Sequence, residues 1–143
     1  MTLDKYNLEA SDDHTTFEFF SEGPKGIIKK IIRFEKIVNQ DNVYNLGFGD
    51  YNKSKDDVDD LIVSNNGDAK KILATVAFAF VQFTDFFPSA FVTVRGSTQA
   101  RLRLYSMEIS KYLIDIKGRF EIWEPFMRMN GNHLGQIDHI VLY

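Results

Sequence analysis

The sequence has no cysteine among its 143 residues. That absence excludes disulfide frameworks, thiol catalysis, iron–sulfur clusters and cysteine-based zinc sites, and it fits a reducing compartment. A long apolar run is also missing, because polar residues interrupt the most apolar segment, 72–87. The N-terminus carries acidic residues where a signal peptide requires an apolar run. We therefore expect a cytosolic protein that does not span a membrane.

Sequence motifs of enzymes and metal sites are lacking as well. The chain has no GxxxxGK[ST] phosphate loop, no GxGxxG fingerprint and no HExxH pair, and its acidic run 56–60 lacks the spacing of an EF-hand loop. His14, His133 and His139 stand in separate segments without a neighbouring nucleophile or metal ligand. We predict no catalytic residue, no metal and no cofactor, and we favour a binding module over an enzyme.

The composition is that of a folded domain. Apolar residues make up 44% of the chain and 13 residues are Phe, which is ample material for a core. A net charge of −3 argues against binding nucleic acid over the whole surface, but it is compatible with a local basic patch. No repeat, low-complexity tract or linker divides the sequence, so we expect a single domain over residues 1–143.

The first half of the chain has the pattern of a sheet. Alternation and turn residues predict strands at 15–20, 26–38, 43–48 and 61–63, with a polar loop over 51–60. The segment 26–38, GIIKKIIRFEKIV, repeats isoleucine pairs at helical spacing, but the loop 39–42 reads as a hairpin connection, and both arms of a hairpin are strands. Its many basic residues indicate an exposed or edge strand.

The second half alternates helices and strands. A helix is predicted over about 68–87, with Asp68 as its N-cap and apolar residues on more than one side. A strand at 90–94, a helix over about 98–116 and strands at 120–127 and 137–143 follow. The fold class is α+β: an antiparallel sheet of four or more strands with two packed helices, in the order ββββαβαββ.

Arginines cluster around a strand-to-helix junction in FVTVRGSTQARLRLYSMEISKY, residues 91–112. Gly96 permits a sharp exit from the strand, and the hydroxyl of Ser97 or Thr98 can cap the helix. A helix N-terminus binds phosphate or carboxylate readily. Arg95 and Arg101 oppose the helix dipole by up to about 1 kcal/mol each, so an anion among them makes sense of their placement. We predict that these five residues form an anion-binding site.

The pattern leaves open which phosphate-bearing partner would bind there. A small phosphorylated or carboxylated ligand needs Arg95 and Arg101 alone. Single-stranded nucleic acid would also contact Arg103, roughly 200° around the helix from Arg101, and the strand face that carries Lys29 and Arg33. Exposed Tyr or Phe side chains would then stack on bases.

Two further alternatives involve no ligand. In the first, Ser97 or Thr98 only caps the helix, and the arginines pair with acids from loops, such as Asp50 or Asp85. In the second, the chain is a homo-oligomeric protein–protein scaffold, and a homodimer is plausible because the Phe-rich helix 68–87 has more apolar surface than one sheet face needs.

Three segments also carry a resemblance to known proteins. YNLGFGD (44–50), NNGDAKKILATVA (65–77) and RGSTQARLRLY (95–105) resemble a family of small uncharacterised Bacteroidota proteins, a domain of unknown function. That resemblance implies that the chain is related to this family, but the family has no assigned activity that it could indicate. The order of four strands and a helix is also similar to the unit of the PUR-alpha and Whirly single-strand-binding proteins, a likeness of topology alone.

Overall fold

The computed structural model describes residues 4–54, 57–59, 66–95, 99–117, 122–123, 128–129, 132–133 and 139–142. Five strands precede the first helix in these ranges: β1 (Glu9–Ala10), β2 (Thr16–Gly23), β3 (Gly26–Lys36), β4 (Val43–Asn52) and β5 (Asp57–Asp59). The remaining elements are α1 (Ala69–Phe86), β6 (Phe91–Arg95), α2 (Gln99–Lys117), β7 (Ile122–Trp123), β8 (Arg128–Met129), β9 (Asn132–His133) and β10 (His139–Leu142).

The strands form one large sheet in the order β1-β2-β3-β4-β6-β10-β7, with β5 paired to β4, and β8 pairs β9 separately. The predicted α+β class is confirmed. The sheet is mixed, however, because β4 and β6 pair in parallel. A parallel pair needs a crossover connection, and α1 lies in the chain between these two strands. The antiparallel sheet of four or more strands predicted from the first half is present in β1 to β5, and β6 extends it in parallel.

The ambiguous isoleucine-rich segment is a strand, as the hairpin argument predicted. The prediction of an exposed or edge strand was wrong about the edge, because β3 pairs with both β2 and β4; its two ends are exposed and its middle is buried. The polar segment 51–60 is not all loop: β4 extends to Asn52, and β5 pairs with it. The predicted strand at 61–63 lies outside the described residues.

The sheet has two distinct faces, set by strand alternation. On the helix-side face, Phe17, Ile32 and Phe48 are neighbours in register, as are Phe34 and Leu46. Side chains of both helices join the same buried cluster, which includes Phe80 and Phe83 of α1 and Ile109 and Leu113 of α2. We call the opposite side the outer face; it carries Glu18, Phe20, Lys29, Ile31, Arg33, Gly47, Gly49, Tyr51, Thr93 and Arg95.

The two helices match their predicted positions to within one residue. Nine residues of α1 are buried, which confirms that this helix is covered on more than one side. Asp68 holds the N-cap position of α1, but its side chain makes no capping hydrogen bond. Its carboxylate turns instead toward Tyr6 and Ser21, so the capping role was wrongly assigned. No helix in the described ranges is long and apolar enough to cross a membrane.

One ion pair lies inside the helix-side layer. Lys30 and Asp50 are opposite each other in the β3–β4 register, and the Lys30 ammonium donates to Asp50 Oδ1. Their side chains are only 6% and 12% exposed. The neighbouring Lys29 points to the outer face, where its side chain is 33% exposed. Alternation therefore gives two adjacent lysines different environments.

The phenylalanines of α1 provide a matched test of this packing. Phe83 is fully buried and stacks on Phe34 with ring centroids 4.1 Å apart. We expect Phe83→Ala to lower the free energy of unfolding by about 3–5 kcal/mol, because it removes the ring and leaves a cavity. Phe86, three residues further along, is 59% exposed. In urea unfolding Phe86→Ala should cost under ~1 kcal/mol, and equal losses for both variants would contradict the packing described.

Candidate functional site

The strand-to-helix unit predicted from the sequence is present at the backbone level. β6 ends at Arg95, and α2 begins at Gln99. The turn residues Gly96, Ser97 and Thr98 lie outside the described residues, so their part in an anion site stays a prediction. Arg101 and Arg103 lie within the first turns of α2.

The strand register adds a relation that the sequence did not show. Arg33 of β3 pairs with Gly47 of β4, and Leu46 pairs in parallel with Val94 of β6. The next step of that parallel register brings Arg95 beside Gly47, and Arg95 pairs with His139 of β10. Arg33, Gly47, Arg95 and His139 thus take neighbouring positions in one row on the outer face, which we call the arginine row.

Gly47 leaves a gap in the middle of the arginine row. A Cβ atom built on Gly47 would meet no heavy atom within 4 Å in the part of the chain that the structure describes. The neighbouring strand positions on either side belong to Arg33 and Arg95. Adjacent strands lie about 4.8 Å apart, so the two arginine backbones are separated by roughly 10 Å. Guanidinium groups bind phosphate and carboxylate with paired hydrogen bonds, so two arginines at strand positions this close provide the chemistry for binding one anion.

A second row, nearer the β2–β3 turn, contains aromatic rings. Phe20 pairs with Lys29, and the β3–β4 register continues to place Tyr51 on the other side of Lys29. The Lys29 ammonium lies 4.3 Å from the centre of the Tyr51 ring. Phe20 is 52% exposed, unlike Phe17 and Phe19 in the core. We call Phe20, Lys29 and Tyr51 the aromatic row.

The outer face is neither uniformly basic nor uniformly exposed. Glu18 lies 3.4 Å from the Lys29 ammonium and balances part of its charge. Ile31, between the two rows on β3, is buried, and so is Thr93 on β6. The exposed residues of this face include Glu9, Phe20, Glu22, Ile27 and Glu35, while Gly47 is half-buried.

A separate cluster of polar side chains lies where α1 begins, and the sequence patterns gave no sign of it. Tyr6 Oη and Ser21 Oγ each donate to Asp68 Oδ2 at 2.5 Å. Asn66 donates to Ser21 Oγ at 3.1 Å and to the Gly26 carbonyl at 2.9 Å. Asp68 Oδ1 is buried and has no hydrogen-bond partner among the described residues. Three separate chain segments meet here, so no local spacing could have revealed the cluster.

This polar cluster anchors the N-terminal segment to the sheet and to α1. The Tyr6 amide donates to Thr75 Oγ1 at 2.9 Å, and the Glu22 amide donates to Tyr6 Oη at 3.0 Å. Burial raises the pKa of Tyr6, and its hydrogen bond to Asp68 raises it further. With Ser21 fully buried and Tyr6 nearly so, the cluster has the character of a structural anchor.

Metal binding receives no support from the described part of the chain. Among those residues, no group of three or more His, Asp or Glu side chains is close enough to hold an ion. Asp50, one of the acids considered as an arginine partner, pairs with Lys30 in the helix-side layer.

Comparison with known protein families gives a match over most of the chain. The model of a family described as a family of unknown function (DUF6934) matches residues 2–134. No curated protein and no solved structure matches the chain.

The Tyr6 anchor makes stability depend on alkaline pH. The Tyr6 pKa lies above its ordinary value of 10.0 in the folded chain, so the native state holds the phenolic proton more tightly than the unfolded state does. The resulting stabilisation is complete below pH 10 and is lost as the pH rises through the folded pKa. We expect Tyr6→Phe to cost about 1–3 kcal/mol at pH 7 and progressively less above pH 10.

The measurement is urea unfolding of both proteins from pH 7 to pH 11. Tyr112→Phe serves as the control, because burial also raises the pKa of Tyr112. In that variant Tyr6 is intact, so the free energy of unfolding should still fall above pH 10 through the titration of Tyr6. A constant difference between wild type and Tyr6→Phe across the whole range would contradict the assignment.

Proposed function

We propose that this chain, which belongs to the family of unknown function (DUF6934), is a binding module for a phosphate-bearing partner. The partner lies over Gly47 between Arg33 and Arg95 and reaches the turn between β6 and α2. The observation that carries the proposal is the register of four strands, which gives two arginines neighbouring positions on either side of a glycine on one face.

The chemistry of the arginine row supports an anionic ligand. Arginine stays charged at any pH that the fold tolerates, and its planar fork matches the oxygens of phosphate. The whole chain carries a net charge of −3, so an anion is attracted by this local arrangement and not by the overall field. Gly47 provides the space, because any side chain there would project into the gap.

The N-terminus of α2, which follows Arg95 in the chain, also favours an anionic partner. Only three residues separate the last residue of β6 from the first residue of α2, so the positive end of this helix follows the arginine row directly. In the proposal, Gly96, Ser97 and Thr98 supply amide and hydroxyl donors, and Arg101 flanks the anion. The absence of cysteine fits action in the cytosol.

The competing proposal is a homo-oligomeric scaffold, which relied on surplus apolar surface of α1. Within one chain, that surface is already covered by the sheet, by α2 and by the N-terminal segment. Phe86 is the large apolar residue of α1 that stays exposed in the described structure. We therefore expect sedimentation at tens of micromolar to give a monomer. A stable dimer in the wild type that dissociates in the Phe86→Ala variant would favour the scaffold.

Direct titration tests the binding module. Wild type should bind labelled single-stranded DNA or RNA, or inorganic phosphate, with an affinity that falls as salt rises. Arg33→Ala and the double variant Arg95→Ala/Arg101→Ala should each weaken binding by about tenfold or more, the effect of losing a charged hydrogen bond. Lys36→Ala, which removes a charge from an exposed residue of β3 on the opposite face, should leave affinity unchanged.

Gly47 allows a sharper version of this test. Gly47→Glu places a carboxylate in the gap, and its Cβ atom meets no heavy atom of the described residues within 4 Å. It should abolish binding, whereas Gly47→Ala should keep most of it. Unchanged circular dichroism would show that both variants fold. If wild type binds none of the three probes, or if Gly47→Glu binds as well as wild type, the proposal is wrong.

A further inference from the structure

Building on the proposed function, we propose that the phosphate-bearing partner is single-stranded nucleic acid and that one of its bases stacks on Phe20. The arginine row then holds the sugar–phosphate backbone, and the aromatic row holds a base. A free phosphate or a small phosphorylated ligand would use the arginine row alone.

The exposure of Phe20 is the first support for this inference. Phe17 and Phe19 alternate onto the helix-side face and are almost completely buried, whereas Phe20 is 52% exposed on the outer face. Its neighbour across the strands is Lys29, and Ile27, 71% exposed, lies diagonally beside it on the same face. An exposed aromatic ring next to a cation is what single-stranded nucleic acid needs from a protein surface: a flat surface for a base and a charge for a phosphate.

The spacing of the two rows is the second support. Lys29 and Arg33 lie four residues apart on β3, which corresponds to roughly 13 Å along the strand. A single phosphate group cannot span that distance, whereas a short stretch of nucleotides can. Only an extended polyanion therefore uses both rows at once.

Stacking on Phe20 requires a base with an accessible flat face, which single strands have and duplexes lack. Bases in a duplex are stacked on each other, and their flat faces are not available to a protein side chain. Unpaired bases are free to stack on Phe20 or on Tyr51, whose ring already lies 4.3 Å from the Lys29 ammonium. Because Glu18 partly neutralises Lys29, Glu18→Gln should strengthen binding of the strand.

The experiment compares three probes on the full chain by fluorescence anisotropy and calorimetry. These are a pyrimidine oligonucleotide of about 12 nucleotides, an abasic oligonucleotide of the same length, and pyrophosphate. Wild type should bind the normal strand at least about fivefold more tightly than the abasic strand, which corresponds to the lower end of one base–aromatic stack.

The variants isolate Phe20. Phe20→Ala should lose that fivefold preference and bind both oligonucleotides alike, while its affinity for pyrophosphate stays at the wild-type value. Phe20→Tyr should restore the preference, because a tyrosine ring also stacks. Phe86→Ala removes another exposed phenylalanine, 59% exposed on α1, and should change no affinity.

The outcomes separate this inference from the function on which it rests. Binding of pyrophosphate that depends on Arg33 and Gly47, without tighter binding of the normal strand than of the abasic strand, would overturn the inference and leave the binding module standing. Equal behaviour of Phe20→Ala and wild type toward both oligonucleotides would overturn it too. If no probe binds wild type, the proposed function itself falls.

Discussion

The parallel pairing of β4 with β6 is the constraint on which the rest of the structure depends. It joins the antiparallel hairpins of the first half to the β6–α2 unit of the second, and it requires α1 to cross one face of the sheet. Because α1 crosses there, that face becomes the core. The same pairing brings Arg95 next to Gly47, so the placement of the core and the composition of the outer face have one origin.

Much of the fold was predictable because most of its elements depend on patterns among residues close together in sequence. The alternation of Phe17 and Phe19 gave β2, the 3.6-residue period of the apolar side chains gave α1, and the loop at 39–42 decided that the isoleucine-rich segment is a strand. The partner of β6 was not predictable, since parallel pairing joins residues far apart in sequence and depends on the path of the intervening helix. The prediction therefore covered the antiparallel sheet of the first half and did not include its parallel extension by β6.

Some parts of the candidate site were likewise predictable from local sequence, and others depend on the pairing of distant strands. The sequence indicated the junction at Arg95 and put Lys29 and Arg33 on one face of a strand. It could not show that Arg33 and Arg95 belong to one row, because that relation passes through Gly47 of a third strand. The anchor around Tyr6 and Asp68 was also hidden, and Asp68 illustrates why: a residue with ideal capping chemistry forms hydrogen bonds to a distant tyrosine instead.

The buried pair of Lys30 and Asp50 affects the register in which β3 and β4 pair. A slip of two residues between these strands would keep every side chain on its original face, so apolar patterning alone discriminates weakly against it. Such a slip would place Asp50 opposite an isoleucine and leave two buried charges apart, at a cost of several kcal/mol. The pair thus selects a single alignment among those that hydrophobicity tolerates. Since that alignment is also the one that sets Arg33 beside Gly47, an interaction inside the core determines the spacing of charges on the opposite surface.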